Sequence, residues 1–261
     1  MATFTNYSNL LPDPNNSIAA DGSTTSSNTG YSAGPGFASV SLKSELPAQT
    51  TRTNSGSTIV RNIQGHKWNM SITYNALTRA QFEPLYAFLL QQKGATSSFF
   101  AELPQYKTVQ NAAWNTFLTT GNNSGAQLIK TTAAVAAGKD NFLITNSSGT
   151  TLDSTGSSSQ GTPSIGDIFS VVDANNSNHV KVYMITRVET NANHNTAEGA
   201  VSASQMRLHF TPGLQKEVSA SNSIKFNNVQ FRVLNKTKEI SYNLDVNNLY
   251  KISLNLEEAQ P

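Results

Sequence analysis

Apolar and polar residues alternate with a period of two in the first segment that is predicted to form strands, beginning at Thr58. The segment TIVRNIQGHKWNMSITY is predicted to form a β-hairpin, or a pair of strands, that turns at Gly65. In its second half the alternation is regular, as is typical of a strand with one buried face. The apolar members are Trp68, Met70, Ile72 and Tyr74.

The pattern then predicts one helix, over residues 78–93. Thr78 followed by Gln81 is a capping-box signal. Pro84 lacks a backbone donor, so it predicts either kinked first turns or a helix that starts nearer Glu83. The helix has one apolar stripe, and its opposite face is polar. This indicates that it is a structural brace whose apolar stripe lies against the face of a sheet. The stripe consists of Phe82, Leu85, Tyr86 and Leu89.

A short Phe-rich strand ends near Pro104. In residues 109–213 the sequence pattern differs, because brief apolar runs alternate with Asn, Gly and Ser. Five short strands with turn signals between them predict a small β-barrel. The five predicted strands are Gln127–Thr131, Asn141–Thr145, Asp167–Asp173, Val180–Val188 and Met206–Phe210.

Longer strands return at Ser223–Leu234 and Glu239–Leu256, and the second is read as two strands or one bent strand near Asn248. The predicted fold class is therefore mainly β. A β-sandwich with one flanking helix is formed by residues 58–108 with 214–261, and it carries residues 109–213 as an inserted small β-barrel.

Residues 1–57 are rich in Ser, Thr, Asn, Gly and Pro, with isolated apolar positions such as Phe4, Leu10 and Phe37. Such a segment buries little core of its own. We interpret it as an extended N-terminal arm that is either disordered in isolation or ordered by a neighbouring molecule.

The amino-acid composition argues against several classes of function. Charged residues make up 13% of the chain and the formal charge is +2, far from the basic surface of a dedicated nucleic-acid binder. The absence of cysteine excludes disulfides, thiolate nucleophiles and Cys-ligated metal centres. The N-terminal segment lacks the features of a signal peptide, and no stretch approaches the roughly 18 apolar residues of a membrane span. We expect a soluble protein that is made in a cytoplasm and is not inserted in a membrane.

The sequence predicts no catalytic, cofactor-binding or metal site, and we expect no enzyme activity. No two of the four histidines have the spacing of shared helical ligands, and GxSxG is missing. Trp68 falls on an apolar face and is read as core, whereas Trp114 is either core or a contact residue. The histidines are His66, His179, His194 and His209, and the scattered acids are Glu83, Glu102, Asp140, Asp153, Asp167 and Glu189.

The order of elements from Arg61 onward resembles the tail-tube fold of bacteriophage tail proteins, which is shared by tube proteins, tube initiators, distal tail proteins and baseplate hub proteins. An Arg-x-x-x-Gly-x-x-Trp opening leads to the helix and then to Phe99–Phe100. The middle block resembles the OB-like barrel inserted in several of these proteins. The matching positions are Arg61, Gly65, Trp68, Leu77–Thr78, Phe82, Pro84–Leu85, Phe88–Leu89, Gly94, Gly166–Asp167, Val182–Ile185 and Phe210–Leu214.

The resemblance implies a structural virion protein of a tail or baseplate. Copies would form a ring, expected to be hexameric, whose sandwiches join edge to edge between the tail tube and the baseplate hub. Genomic DNA would pass through the lumen without specific contacts, and the barrel would face other tail-tube and baseplate hub proteins. The alternative is a carbohydrate-binding or receptor-binding tail fibre or adaptor protein, which predicts aromatic residues exposed on one barrel face. A tail-associated hydrolase would need a carboxylate pair or metal cluster that the sequence pattern does not offer.

Overall fold

The computed structural model describes residues 9–12, 17–18, 32–33, 36–62, 65–119, 129–146, 152, 161–173 and 179–259. The chain divides into two units, with boundaries between Ala101 and Glu102 and between Phe231 and Arg232. The strands are β1 Ser17–Ile18, β2 Ser32–Ala33, β3 Phe37–Glu45, β4 Ala48–Arg52, β5 Thr58–Asn62, β6 Lys67–Tyr74, β7 Phe99–Glu102, β8 Ile129–Thr131, β9 Asn141–Asn146, β10 Ile168–Val172, β11 Val182–Glu189, β12 Gln205–Thr211, β13 Ser223–Lys225, β14 Gln230–Asn235, β15 Asn243–Leu244, β16 Tyr250–Lys251 and β17 Ser253–Glu258. The helices are α1 Arg79–Gln91 and α2 Ala112–Thr119.

A five-stranded sheet with the order β3-β6-β17-β14-β7 forms the centre of the first unit. Strand β6 is antiparallel to both of its neighbours, β3 and β17. Its side chains alternate strictly between buried and half-buried, as the sequence predicts, because period two places every second residue on one face. The same face receives Leu254 and Leu256 from β17 and Phe231 and Val233 from β14.

Strands β3 to β6 form one long β-hairpin in two parts. The proximal part pairs β3 with β6 inside the sheet, and the distal part pairs β4 with β5 as a two-stranded ribbon. The predicted hairpin turn at Gly65 is wrong. Strands β5 and β6 do not pair with each other, and the chain turns instead around Gly56, whose positive φ of 83° suits a glycine.

Helix α1 begins after Thr78, and the backbone N–H of that residue donates to Gln81 Oε1 at 3.1 Å, as a capping box requires. The alternative start near Glu83 is wrong. Pro84 lies inside the helix, which runs on past it to Gln91. The buried face consists of Phe82, Leu85, Phe88 and Leu89, and the Phe88 ring packs edge-on against Phe99 of β7 at 5.5 Å. The predicted brace on the sheet is confirmed, although Tyr86 is only half-buried.

The second unit contains a closed barrel with the strand order β10-β11-β12-β9-β8-β13. All five predicted strands of the middle block are present, each within two residues of its predicted limits. Aromatic rings fill the interior in edge-on, tilted and stacked pairs with centroid separations of 4.9–5.7 Å. These rings belong to Phe142, Phe169, Tyr183 and Phe210.

Helix α2 was not predicted from the sequence. Asn111 caps it, because its side-chain oxygen accepts from the backbone N–H of Ala113 at 3.0 Å. Trp114 and Phe117 on this helix join the barrel core. Of the two interpretations of Trp114, core is therefore the one confirmed.

The prediction that residues 1–57 form an extended arm is wrong for much of that segment. Residues 37–45 are strand β3 of the sheet, where eight of them pair with β6. Leu10 and Leu11 are buried, and the Leu11 N–H donates to the carbonyl of Phe100 in β7 at 2.7 Å. Backbone pairing supplies an order that the polar composition of this segment did not indicate. Phe4 lies outside the described residues.

The predicted limits of the insertion, residues 109–213, are too narrow. Strand β13 closes the barrel by pairing with β10 and β8, and Val218, Ile224 and Phe226 belong to the barrel core. The predicted long strand Ser223–Leu234 is accordingly two strands in different sheets, separated by a turn at Asn228 with φ 50°. The predicted strand Glu239–Leu256 becomes β15, β16 and β17, with a tight turn at Asn248.

The predicted fold class is confirmed: the protein is mainly β, with a flanking helix and an inserted β-barrel. Within the described part of the chain, neither helix has the length and apolar character needed to cross a membrane.

Truncating Leu85 to alanine should lower the free energy of unfolding by roughly 2–5 kcal/mol, because the side chain is fully buried and its removal leaves a cavity. Arg79→Ala on the same helix is the control and should leave the free energy of unfolding close to that of the wild type, since it removes only an exposed pair with Glu83. Thermal and urea unfolding measure both. Equal stability of Leu85→Ala and the wild type would mean that the stripe is not core.

Replacing residues 104–228 with a short Gly/Ser linker should leave a soluble, β-rich first unit. Strands β7 and β14 are neighbours in the sheet, and Gln230 Nε2 donates to Glu102 Oε1 at 2.8 Å, so a short linker can span the gap. A deletion of 110–212 is the control and should fold worse, because it leaves β13 without its barrel partners. Circular dichroism and urea unfolding compare the two. If the wider deletion is the less soluble, these boundaries are wrong.

Candidate functional site

The four histidines have different environments. His66 is buried, with its Nε2 2.9 Å from Ser44 Oγ and its ring edge-on to Trp68. His179 is buried beside Tyr183, with Nε2 2.8 Å from the phenol oxygen. Burial lowers the pKa of His179, which favours the neutral ring. His194 is half-buried, and its Nδ1 lies 2.9 Å from the Asn191 carbonyl. His209 Nε2 lies 3.3 Å from a carboxylate oxygen of Glu189 and 3.4 Å from one of Glu198.

A cluster of charged side chains on strands β11 and β12 is the strongest candidate for a chemical site in the described chain. Antiparallel pairing places Arg187 opposite His209 and Glu189 opposite Arg207, so the four side chains share one face. Glu198 joins them from a 3-10 turn, Thr196–Glu198. We call these five residues the charged cluster.

Arg207 and Glu189 form the buried centre of the charged cluster. Arg207 Nη1 donates to Glu189 Oε2 at 2.8 Å, and Arg207 Nη2 donates to the carbonyls of Glu198 at 2.8 Å and Gly199 at 3.1 Å. Both side chains are almost fully buried. A buried ion pair survives only when its remaining donors and acceptors are satisfied, and here the backbone of the 3-10 turn supplies the additional acceptors.

Glu189, Glu198 and His209 could in principle hold a metal ion, since their ligand atoms lie within 4.8 Å of one another. The space between them is taken by the guanidinium of Arg187. Its Nη2 donates to Glu189 Oε1, lies 2.9 Å from His209 Nε2 and lies 3.3 Å from Glu198 Oε1. The Arg187 cation thus supplies the positive charge that a metal would bring, and the arrangement is an ion-pair network.

A glycosidase uses two nearby carboxyl groups, and the ligand oxygens of Glu189 and Glu198 in the charged cluster lie within 4.8 Å of one another. Such an enzyme needs one acid that stays protonated near neutral pH, which means a raised pKa. Burial by itself raises the pKa of Glu189, but the hydrogen bond from Arg207 and the charges of Arg187 and His209 outweigh it, and the net pKa is lowered. The lowered pKa favours the ionised form of Glu189, which suits its ion pair with Arg207.

The other acids named from the sequence serve local structure. Asp167 accepts from the backbone N–H groups of Ser164 at 2.8 Å and Gln110 at 3.0 Å. Glu83 pairs with Arg79 on the surface of α1, and Glu102 accepts from Gln230. Asp140 accepts from the adjacent Asn141 amide. Asp153 lies outside the described residues.

The charged cluster could not be found from spacing alone. Alternating charges at 187 and 189 and at 207 and 209 lie in two predicted strands, which is a weak signal of a shared face. Their pairing depends on the register of β11 with β12, which shifts by a bulge between Ile185 and Arg187.

A second feature is the ribbon formed by β4 and β5. All five residues of β4 are exposed, as are residues 58–61 of β5. Ile59 and Val60 in the ribbon and Leu46 at its base each expose more than half of their surface. Exposed apolar residues gathered on a protruding element are typical of an interaction surface.

The two edges of the five-stranded sheet differ. At β7 the chain segment at Asn9–Leu11 pairs with Phe100, which covers that edge. At β3 no further strand pairs with the outer edge within the described residues. An open strand edge is a template for pairing with another chain.

No protein-family model matches the chain, and no curated protein matches its sequence.

Glu189→Gln should destabilise the protein by about 3–5 kcal/mol at pH 7, because it leaves the buried Arg207 without its anionic partner. The folded-state pKa of Glu189 is lowered, so the carboxylate stabilises the fold above its unfolded-state pKa of about 4.3 and loses this effect as pH falls through the folded value. The difference between variant and wild type should therefore shrink at acidic pH.

Glu83→Gln is the matched control, since it removes an exposed pair worth no more than about 1 kcal/mol. Urea unfolding at pH 7 and in the acidic range measures both variants. If Glu189→Gln lost the same amount of unfolding free energy at every pH, the role of ionised Glu189 as the partner of Arg207 would be contradicted.

Proposed function

We propose that this chain is a structural subunit that assembles with copies of itself into a closed ring, in the tail or baseplate of a bacteriophage. The observation that carries the proposal is the ribbon of β4 and β5. A two-stranded ribbon is at best marginally stable in water and usually needs a packing surface. Of its described side chains, the great majority are exposed, so the described residues provide no packing surface for the ribbon, and a neighbouring copy would supply one.

The open edge of β3 supports self-assembly. Strand β3 precedes β4 with only Leu46 and Pro47 between them, so the open edge and the ribbon belong to one continuous hairpin. The β7 edge is already covered by Asn9–Leu11, so a simple pairing of β3 on one copy with β7 on the next is blocked unless that segment moves. The contact we propose is heterologous, with the hairpin of one copy against a different surface of its neighbour.

Heterologous contacts close into a ring when the rotation between copies is a simple fraction of a turn, and otherwise form filaments. Closure removes exposed strand edges without leaving one free at either end. The mainly β fold with its inserted barrel agrees with the resemblance in element order to tail-tube proteins. Six copies, a lumen for genomic DNA and contacts with the tail tube and baseplate hub remain predictions of that resemblance.

The alternative, a carbohydrate-binding or receptor-binding fibre protein, predicted aromatic residues exposed on one face of the barrel. Among the described residues, the large hydrophobic side chains exposed on the barrel unit are the aliphatic Ile165 and Val172. The aromatic rings of the barrel lie in its core. The barrel therefore offers no support for that alternative.

Val60→Asp should abolish self-assembly while leaving the subunit folded, because Val60 is 63% exposed and contributes little to the fold of a single subunit. A charge at this position would be desolvated in the proposed contact, which is costly when it is unpaired. Light scattering after size-exclusion chromatography gives the oligomeric state, electron microscopy detects rings, and thermal unfolding checks the fold.

Val172→Asp is the matched control, because Val172 is also a strand valine, is 54% exposed and lies on the barrel. It should assemble as the wild type does. A wild type that is strictly monomeric at all concentrations, or a Val60→Asp variant that assembles normally, would contradict the proposal.

A further inference from the structure

A surface groove of about 390 Å³ lies in the first unit, between the end of β6 and the small hairpin of β15 and β16. Its floor includes Tyr74 and Ile252, which are buried core residues. Its rim is formed by Asn75, Tyr242 and Asn243. The volume falls within the usual range of small-molecule sites, about 300–1,000 Å³.

Tyr242 is the exposed aromatic residue of the described chain, with 44% of its surface accessible. Its ring is fixed from behind by a cluster of aromatic rings, with centroids 4.9 Å from Phe82, 5.5 Å from Tyr86 and 5.5 Å from Tyr250. Phe82 and Tyr250 are themselves stacked at 4.3 Å. A ring held in this way is a rigid platform, and stacking on it costs little conformational entropy.

The groove carries no uncompensated charge. Lys251 is the one ionisable group among its lining residues apart from the tyrosines, and its Nζ lies 3.1 Å from Asp245 Oδ2. A phosphate or carboxylate ligand would need a free cation, which this pair does not provide. The remaining polar lining consists of amides and hydroxyls, which both donate and accept hydrogen bonds. These residues are Thr73, Asn75, Ser241, Asn243 and Ser253.

We propose that this groove binds an uncharged saccharide, with one sugar ring stacked on Tyr242. A pyranose has an apolar face of C–H groups that packs on an aromatic ring, and equatorial hydroxyls that match side-chain amides. Asn75 and Asn243 stand on the groove rim to make those hydrogen bonds. A nucleobase would also stack on tyrosine, but its phosphate would find no free cation. The site is independent of the ring proposal and is lined by residues of the first unit alone.

The test uses the full chain and three uncharged probes: the tetramers of β-1,4-glucose, α-1,4-glucose and β-1,4-N-acetylglucosamine. Saturation-transfer NMR detects binding, and titration gives the affinity. At least one probe should bind the wild type, and Tyr242→Ala should weaken it roughly tenfold or more, while Tyr242→Phe retains the ring and most of the affinity. Val246→Ala is the control, because Val246 is 95% exposed on the same hairpin but does not line the groove.

Three results would overturn the proposal. The first would be that none of the three probes binds, and the second that Tyr242→Ala binds a probe as well as the wild type does. The third would be that glucose 6-phosphate competes better than glucose, which would mean that an anion is recognised. A change of oligomeric state in Tyr242→Ala without any saccharide binding to the wild type would assign this face to a contact between copies.

Discussion

The pairing of strand β6 on both of its sides is the constraint on which the first unit depends. On one side β6 joins β3, and on the other it joins β17, whose residues lie about 180 positions further along the chain. The Trp68 N–H donates to Glu258 Oε2 at 3.1 Å, and Lys67 forms an ion pair with Glu257. Closing so long a loop costs little more than closing a short one, because the entropy grows only with the logarithm of length. A whole barrel can therefore be accommodated between β7 and β14 without weakening the sheet.

Elements with a long, regular period in their buried residues could be predicted from the sequence. The short helix α2 and the strands ordered mainly by backbone pairing could not. Strand β6 and helix α1 show clear periods because half of each is in the core. Strand β3 has the sequence FASVSLKSE and is mostly exposed, so its order comes from hydrogen bonds to β6, which leave no pattern in side-chain polarity. The same reason explains why residues before 58 were read as an arm.

The charged cluster shows a second limit of prediction from the sequence. Its individual residues are visible in the sequence, but their meeting requires the register of two strands, a bulge and a 3-10 turn. The sequence shows that Arg187, Glu198 and His209 are present, but it does not indicate that Arg187 lies between Glu198 and His209. Sequence reasoning therefore found no carboxylate pair or metal cluster, and the described residues contain a candidate whose central space an arginine occupies.

The position of the apolar residues in the ribbon constrains how another copy can meet it. Ile59 and Val60 are consecutive in β5, so their side chains point to opposite faces of the ribbon. A ribbon that lay flat on one neighbour would bury one of them and leave the other in water. Both are exposed in the single subunit, and each face offers one apolar contact surrounded by Thr, Gln and Arg. This distribution fits a ribbon inserted between two surfaces, so that each copy in an assembly would engage two neighbours through one hairpin. Contacts of this kind would tie three copies together, so a change at either apolar residue would break the link to one neighbour and prevent a closed assembly.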